Sequence, residues 1–178
     1  MAIIVVVLIL GVLALTAFAG WWGAPWLPTP KSAVATAMEA AGVRPGDVVV
    51  DIGAGDGRVL RAAAARGARA VGYELSPLFW VVAWLATRRC RHRARVKFAD
   101  AFAADLSAAT VIFAFLRPQT LPRLIAALRL RGPSTGARLV SYAFPIPRTA
   151  PRWVVRFPGS LPVYGYDLPL PGASAKRP

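Results

Sequence analysis

The sequence predicts an α/β domain with a doubly wound, mostly parallel sheet and a C-terminal antiparallel hairpin, preceded by one transmembrane helix. Three observations lead to this expectation. Short apolar runs alternate with helical segments after residue 31, which is the pattern of parallel strands joined by crossover helices. Two further strand-like runs near the C-terminus are joined by the turn "PGSLP", which indicates a hairpin. The first 30 residues carry no charged side chain, and residues 2–22 are almost wholly apolar.

The N-terminal apolar run is long enough to cross a membrane as a helix. About 20 residues at about 1.5 Å each span roughly 30 Å of hydrocarbon, and the tryptophans at 21–26 follow as an interfacial belt would. We therefore expect a transmembrane helix over 1–22. The positive charge that follows places a single-pass protein in the cytoplasmic membrane, with its globular domain on the cytoplasmic side. A cleaved signal peptide is the alternative, because residues 17–19 read A-F-A.

The elements after the apolar run are marked by local stop and start signals. Gly42 and Gly132 end the first and last helices, as glycine does at helix C-termini. Ser76 and Pro77 begin another helix with a capping hydroxyl and a proline in its first turn. The helices are expected at 32–41, 56–66, 76–87 and 121–131, and the strands at 48–51, 70–73, 95–98, 110–115, 137–144, 153–157 and 163–168.

The length of 178 residues suits one domain of ordinary size. Residues 23–31 are rich in proline and cannot continue a helix, so they are expected to form a linker. The globular domain is then expected over 32–170, and the small and basic residues of 171–178 form a tail that we expect to be disordered.

The charged, cysteine and histidine residues exclude several classes of site. Cys90 is the only cysteine, so an intrachain disulfide is excluded, and no metal-binding constellation is visible. His92 is the only histidine and lies in an arginine run, which disfavours a histidine-based catalytic triad. The net charge is +14, from 22 basic and 8 acidic residues, and the excess lies entirely after residue 30.

The loop after the first strand carries the main functional signal. It reads "DIGAGDGR" over 51–58 and resembles a dinucleotide fingerprint, but Arg58 stands where the third glycine of G-x-G-x-x-G belongs. Asp51 and Asp56 would repel a pyrophosphate. The same carboxylates suit a cationic ligand such as S-adenosylmethionine, which carries an ammonium and a sulfonium group and no phosphate. Asp56 has a second interpretation as a helix N-cap.

Further acidic residues follow the next two strands. Glu74 stands 21 residues after Gly53, the spacing at which an acidic residue binds a ribose diol. Asp100 follows the third strand, where it could accept a hydrogen bond from an adenine amino group, and Phe102 could stack on that ring. The sequence therefore predicts S-adenosylmethionine as the cofactor.

These segments resemble a known family. "DIGAGDGRVL", "GYELSP", "FADAF" and "GARLVSYAF" are similar to class I S-adenosylmethionine-dependent methyltransferases, which have a Rossmann-like fold. "GAPWLPTP" and "DLSAATVIFAFLRPQTLPRL" resemble a bacterial membrane-anchored group that is similar to the mitochondrial protein-lysine methyltransferases. The resemblance covers roughly residues 23–151.

The resemblance implies cofactor contacts from Asp51, Gly53, Gly55, Glu74 and Asp100, and a pocket entrance lined by 28–30. The full set of candidate cofactor residues consists of Asp51, Gly53, Ala54, Gly55, Asp56, Gly57, Glu74, Leu75, Asp100, Ala101 and Phe102. Weak candidates for the methyl-acceptor side are Phe115, Tyr142 and Thr29, and no general base is visible. Related sequences often carry tyrosine where Phe115 stands.

A basic run and an apolar helix bear on the partner. Six basic residues lie within 88–97, and the helix before them is apolar around its circumference, with Trp80 and Trp84. A helix that covers one face of a sheet should keep a polar outer stripe, so this helix is expected to meet lipid or a membrane protein. Nucleic acid is disfavoured, and a solvated charge run is the plainest alternative.

The leading hypothesis is therefore a membrane-anchored methyltransferase that N-methylates lysine on a membrane-associated protein and contacts the membrane lipid surface. A small-molecule or lipid methyltransferase and a non-catalytic cofactor-binding module remain open as alternatives.

Overall fold

Seven strands form one mixed sheet in the computed structural model, which describes residues 1–7, 10–11, 14, 27–133 and 135–171. The strands are β1 (Val48–Ile52), β2 (Arg69–Glu74), β3 (Ala94–Phe98), β4 (Val111–Ala114), β5 (Arg138–Tyr142), β6 (Trp153–Val155) and β7 (Val163–Asp167). The helices after residue 30 are α1 (Lys31–Ala40), α2 (Arg58–Ala65), α3 (Pro77–Thr87) and α4 (Leu121–Arg131), with 3₁₀ turns at Arg88–Cys90 and Pro118–Thr120.

The strand order creates a crevice at one edge of the sheet. The order is β3-β2-β1-β4-β5-β7-β6, in which the first five strands are parallel and β7 pairs antiparallel with both β5 and β6. The chain leaves β1 towards β2 and returns to β4 on the other side, so the order reverses between β1 and β4. Ligands of such sheets bind at the carboxyl ends of the strands at this point. The parallel sheet and the terminal hairpin agree with the expected topology.

The helices bury apolar side chains on both faces of the sheet. On one face, α1 and α2 cover the sheet, and Leu60 of α2 lies in the same core cluster as Val49 and Phe113. On the other face, α4 packs with Leu124 against Ile112. Complete burial of each such side chain contributes about 1.5–3 kcal/mol. The sheet is therefore held rigidly beneath the loops that follow its strands.

Local residue chemistry explains where two helices begin. The Ser76 side chain accepts a hydrogen bond from Phe79 N and Pro77 occupies the first turn of α3, as expected. The helix expected from residue 56 begins instead at Arg58, because Gly57 has a left-handed backbone with φ of 74°. An α-helix needs negative φ, so residue 56 belongs to the loop.

The first part of the predicted fold is wrong. Among the described residues, no helix is both long enough and apolar enough to cross a membrane. A span needs about 20 consecutive helical residues, whereas the residues described as helical before position 27 are 2–7, 10–11 and 14. This contradicts the transmembrane helix over 1–22 and the single-pass location in the cytoplasmic membrane, with the domain on its cytoplasmic side, that depended on it. Several predicted segments lie partly outside the described residues. These parts are residues 8–9, 12–13 and 15–22 of the expected transmembrane helix, residues 23–26 of the expected linker and residues 172–178 of the expected tail.

A buried ion pair stabilises the edge of the sheet opposite the crevice. The Asp47 carboxylate accepts hydrogen bonds from Thr110 Oγ1 at 2.6 Å, from Arg138 Nη2 at 2.7 Å and from Arg44 N at 3.0 Å. Arg138 also donates to the carbonyl groups of Ala41 and Gly42 at the end of α1. Burial opposes ionisation of Asp47, but these partners outweigh it and hold the pKa of the carboxyl below its ordinary value.

Candidate functional site

The strand register brings the predicted site residues to one level of the sheet. Ile52 is aligned with Tyr73 on β2 and with Ala114 on β4, and Ala114 is aligned with Ser141 on β5. The next residue along each strand is therefore at the same level. That level consists of Glu74, Gly53, Phe115 and Tyr142. Residues from four separate segments thus meet above the carboxyl ends of the central strands.

The loop over 53–57 is fixed to the end of β2. Gly53 N and Ala54 N both donate to the Tyr73 carbonyl oxygen, at 3.0 and 2.9 Å. Gly53 has φ of 88°, which favours glycine, and a Cβ added there would meet no atom within 4 Å among the described residues. Open space at a backbone turn of this kind lets a ligand approach the main chain closely.

Glu74 holds the loop through its carboxylate. One oxygen accepts a hydrogen bond from Gly55 N at 2.8 Å and the other accepts one from Ser76 N at 2.8 Å. The same side chain therefore orders the glycine loop and the start of α3. Leu75 beside it is exposed.

Asp51 is the most unusual ionisable group of the site. Its side chain is buried, with 3% of the residue exposed, and among the described residues no donor is paired with its carboxylate. Burial raises the pKa of Asp51 well above its ordinary value, and the negative charges of Glu74 and Asp56 raise it further. A buried carboxylate without a donor or cation partner is costly. A cationic ligand group beside Asp51 would relieve that cost.

Asp56 lies in the loop, but its carboxylate is paired with Arg58. Arg58 Nε donates to one carboxylate oxygen and Nη2 donates to the other, each at 2.8 Å. Burial alone would raise the pKa of Asp56, but the hydrogen bonds and charge of Arg58 outweigh it and the pKa lies below its ordinary value. The N-cap interpretation is only partly met. The Asp56 carboxylate accepts a hydrogen bond from Arg58 N at 3.1 Å, but the N-cap residue of α2 is Gly57.

The residues after β3 form a separate cluster beside α4. Asp100 accepts a hydrogen bond from Phe102 N at 2.9 Å, and its other oxygen lies 3.4 Å from an Arg123 nitrogen. The Arg123 guanidinium also lies 4.7 Å from the centre of the Phe102 ring. Ala101 between them is buried. Because Ala99 N donates to the Glu74 carbonyl at 3.2 Å, this cluster begins directly beside the end of β2.

The predicted acceptor-side residues form an aromatic wall. The rings of Phe115 and Tyr142 meet edge to face, with their centres 4.8 Å apart. The Tyr142 hydroxyl is not available as a general base, since it lies 3.1 Å from Ser160 Oγ and accepts a hydrogen bond from Leu161 N at 3.4 Å. The hydroxyl instead holds the loop between β6 and β7.

Thr29 is buried just before α1, and its main chain contacts the glycine loop. Its carbonyl oxygen accepts a hydrogen bond from Arg58 Nη1 at 2.6 Å. The contact uses the backbone carbonyl and leaves the Thr29 hydroxyl out of it.

Sequence reasoning missed two contributors. Arg58 was considered only as a substitute for glycine, yet it links the loop to the residue-29 segment. Gly72 on β2 gives the loop room, because a Cβ there would lie 2.6 Å from Ala54 Cβ and 2.9 Å from a Leu60 methyl carbon. A small residue in mid-strand signals a close backbone approach and could have drawn attention to this position.

Most of the basic run, residues 88–93, lies at the opposite edge of the sheet from the site, whereas Lys97 is aligned with Tyr73 near the site end and its Nζ lies 5.5 Å from the centre of the Tyr73 ring. Helix α3 begins beside Glu74 and runs back along the sheet, so the residues after Thr87 reach the end at which β2 and β3 begin. Arg93 Nη1 contacts the Gly67 carbonyl there at 2.7 Å. The outward side of α3 exposes Leu78, Val81, Val82, Trp84 and Leu85.

The chain is similar in sequence to known lysine methyltransferases. Residues 51–153 match the family described as the ANTKMT methyltransferase domain. A lysine N-methyltransferase of Xenopus laevis, named for its action on ATP synthase, is 34% identical over 146 residues, which are 81% of this chain and 63% of that protein. A protein-lysine N-methyltransferase of Saccharolobus islandicus strain REY15A is 32% identical over 140 residues, which are 74% of this chain and 84% of that protein. This chain thus spans less than two thirds of the length of the Xenopus protein.

A solved structure agrees in both fold and sequence. The crystal structure of an RNA methyltransferase from Salinibacter ruber, in complex with S-adenosyl-L-homocysteine, has a TM-score of 0.75 and 36% identity, and the match covers 80% of this chain and 94% of that one. The residues of this chain suit such a cofactor, because Asp51 offers a cationic group a buried carboxylate that no described residue pairs with, and Gly53 leaves the backbone open. The chain therefore belongs to the ANTKMT methyltransferase domain family, whose cofactor is S-adenosylmethionine.

Proposed function

We propose that this protein transfers a methyl group from S-adenosylmethionine to the amino group of a lysine side chain on a protein substrate. The observation that carries the proposal is the buried Asp51 carboxylate at the edge of the glycine loop, which has no hydrogen-bond donor or cation paired with it in the part of the chain that the structure describes. The lysine acceptor is supported by the names of the Xenopus and Saccharolobus relatives, both of which are lysine N-methyltransferases.

In this proposal the residues at the carboxyl ends of the strands divide the work. S-adenosylmethionine, when bound, supplies an electrophilic methyl group. Asp51 balances positive charge on the cofactor, and Glu74 holds the glycine loop through Gly55 N. Asp100 and Phe102 offer an acceptor and an aromatic face to the adenine end. No step requires a histidine or a metal.

The aromatic wall is the proposed acceptor side. The Phe115 ring is half-buried at the level of Gly53 and packs edge to face against the buried Tyr142 ring, and its apolar surface suits the aliphatic stem of lysine. The lysine ammonium must lose its proton, to water, before the amine attacks, and apolar surroundings favour the neutral form of an amine. The proposed role of these residues is therefore to orient and desolvate the acceptor, and rate then comes mainly from positioning.

RNA is the second candidate acceptor. The Salinibacter ruber protein is named as an RNA methyltransferase, and this chain carries a net charge of +14. The aromatic wall would accept a stacked base as readily as a lysine stem. An assay must therefore separate the two polymers.

The test is a methyl-transfer assay with the full chain. Lysate of the source cells is incubated with S-adenosylmethionine that carries a radiolabelled methyl group, and the label is measured separately in protein, RNA, lipid and small molecules. We expect label in protein, recovered as methyl-lysine after hydrolysis, and we expect Asp51→Asn to reduce it. Label in RNA would assign the second candidate, and label confined to lipid or small molecules would refute the protein acceptor.

We also propose that the exposed face of α3 makes a peripheral contact with an anionic lipid surface. Trp84 is 52% exposed and Leu85 is 48% exposed, and the next turn carries Arg88, Arg89 and Arg91. Within the described residues, none of these three arginines pairs with an acidic side chain. Apolar side chains beside unpaired arginines match the interface between acyl chains and anionic headgroups.

Vesicle co-sedimentation tests the lipid contact with matched variants. We expect Leu85→Ser and Arg88→Gln/Arg89→Gln/Arg91→Gln to reduce binding to phosphatidylglycerol vesicles. The matched controls on α4, Leu130→Ser and Arg129→Gln/Arg131→Gln, should change it little. Neutral phosphatidylcholine vesicles should bind the wild type less, and salt should weaken the arginine contribution. Equal losses in both sets of variants would refute this surface.

A further inference from the structure

Arg58 connects two segments that are 29 residues apart in the chain. Its guanidinium donates through Nε and Nη2 to the two oxygens of Asp56, and through Nη1 to the carbonyl of Thr29. All three nitrogens are therefore used. A planar fork of this kind is specific to arginine, because a lysine ammonium is a single point charge that cannot reproduce the paired geometry.

The contact is shielded enough to matter. The side chains of Arg58 and Asp56 are 20% and 24% exposed, and Thr29 is buried. The Asp56 carboxylate raises the pKa of Arg58 further through its hydrogen bonds and charge, although burial opposes this. The neighbouring arginine, Arg61, lies 3.9 Å from the same carboxylate and is 42% exposed, so its contribution should be small.

The cofactor loop is held by side chains from two separate parts of the chain. Glu74 holds Gly55 from the β2 side, whereas Arg58 holds Asp56 from the side of the segment over 27–30. That segment precedes α1. Arg58 is thus the link between the conformation of the loop and the position of the chain beside it.

We propose that Arg58 is a positioning residue that closes the segment over 27–30 onto the cofactor loop, and that this closure is required for tight cofactor binding. The proposal rests on the assignment of the loop over 53–57 to S-adenosylmethionine. It assigns no contact between Arg58 and the cofactor.

Charge alone predicts the opposite result from positioning, which makes the proposal testable. Removal of a positive charge beside the cofactor loop should strengthen the attraction of a cationic cofactor, so a pure charge effect makes Arg58→Gln bind more tightly and leaves Arg58→Lys unchanged. Positioning requires both variants to bind more weakly. Loss of charge-assisted hydrogen bonds of this kind predicts about tenfold weaker binding or more.

The experiment measures two quantities on the full chain: S-adenosylmethionine affinity by calorimetry, and the rate of tryptic cleavage after Lys31 by mass spectrometry. Lys31 follows the segment directly, so its cleavage reports release of that segment. Arg58→Lys and Arg58→Gln should both weaken binding and accelerate this cleavage. Arg61→Gln is the matched control and should change either quantity by less than about twofold, because exposed ion pairs contribute little.

Thermal unfolding of each variant separates positioning from general loss of fold. A positioning role requires faster cleavage at Lys31 in the Arg58 variants even at temperatures far below their unfolding midpoints. Normal affinity and normal cleavage in Arg58→Lys would overturn the proposal, as would tighter binding in Arg58→Gln. If the wild type did not bind S-adenosylmethionine, two claims would be refuted: the assignment of the loop over 53–57 to this cofactor, and the role of Arg58 in cofactor binding. The cleavage measurement would still decide whether Arg58 closes the segment.

Discussion

Substitution of Asp51 by asparagine should stabilise the cofactor-free protein and weaken its cofactor binding. The two effects have one cause, which is the environment of the Asp51 carboxylate. The residue is only 3% exposed, and no donor within the described residues is paired with the carboxylate. The negative charges of Glu74 and Asp56 also act on it. Asparagine keeps the size and removes the charge. Because the asparagine amide is still polar, the gain comes only from removal of the buried charge and should be about 1–3 kcal/mol. For a chain of this length, that corresponds to an increase of about 2–12 °C in Tm.

The stabilisation should depend on pH in a defined direction. The pKa of Asp51 in the folded chain lies above its value in the unfolded chain. The folded state therefore binds more protons between the two values, and the carboxylate lowers the free energy of unfolding progressively as pH rises through that window. The advantage of Asp51→Asn should be complete above the folded pKa and should vanish below the unfolded pKa of about 4.

Cofactor binding should change in the opposite sense. Loss of a charge-assisted contact should weaken S-adenosylmethionine binding by about 1–3 kcal/mol, or about 5- to 150-fold. Wild-type affinity should rise with pH as Asp51 ionises, whereas the variant should show a flatter profile.

Calorimetry measures the affinity, and denaturant unfolding with and without cofactor measures the stability. Asp47→Asn is a matched control, since Asp47 is also buried and lies at the other end of the same strand, but is paired with Arg138. The reasoning is refuted if Asp51→Asn destabilises the cofactor-free chain, or if it binds S-adenosylmethionine as tightly as the wild type.

Three further predictions concern single side chains. Asp47→Asn should lower the free energy of unfolding by about 1–3 kcal/mol at neutral pH. Because the folded pKa of Asp47 is depressed, this deficit should disappear as pH falls through that value, which denaturant unfolding across a pH series would detect. Glu74→Gln should weaken cofactor binding by about 1–2 kcal/mol, because glutamine offers an oxygen acceptor to only one of the two donors, Gly55 N and Ser76 N. Unchanged affinity in calorimetry would contradict the role of Glu74 in the loop. Tyr142→Phe should cost about 0.5–1.5 kcal/mol of stability through the lost Ser160 and Leu161 contacts and leave the cofactor Kd unchanged; a large change in Kd would place the hydroxyl in the site.

The alternation of apolar runs with helical segments determined the sheet and the edge at which its loops meet. This was possible because strand and helix signals are local, and because parallel strands must direct their carboxyl ends to one edge. The acidic residues at the ends of the first three strands likewise predicted S-adenosylmethionine as the cofactor, which the family match confirms. Local hydropathy did not predict the structure of the N-terminal residues correctly. The length and composition of that segment predicted a membrane-spanning helix, but no helix among the described residues is long and apolar enough to cross a membrane.

Only the tertiary structure decided what each site side chain does. Asp56 and Asp51 look equivalent in the sequence, but Arg58 neutralises the first and nothing described pairs with the second. The Tyr142 hydroxyl is directed to Ser160, 18 residues further on, rather than to the acceptor side. The physical reason is that these partners come together only when distant segments pack, so neither spacing nor composition specifies them. The charge and hydrogen bonding of a site residue then depend on those partners, and so does its pKa.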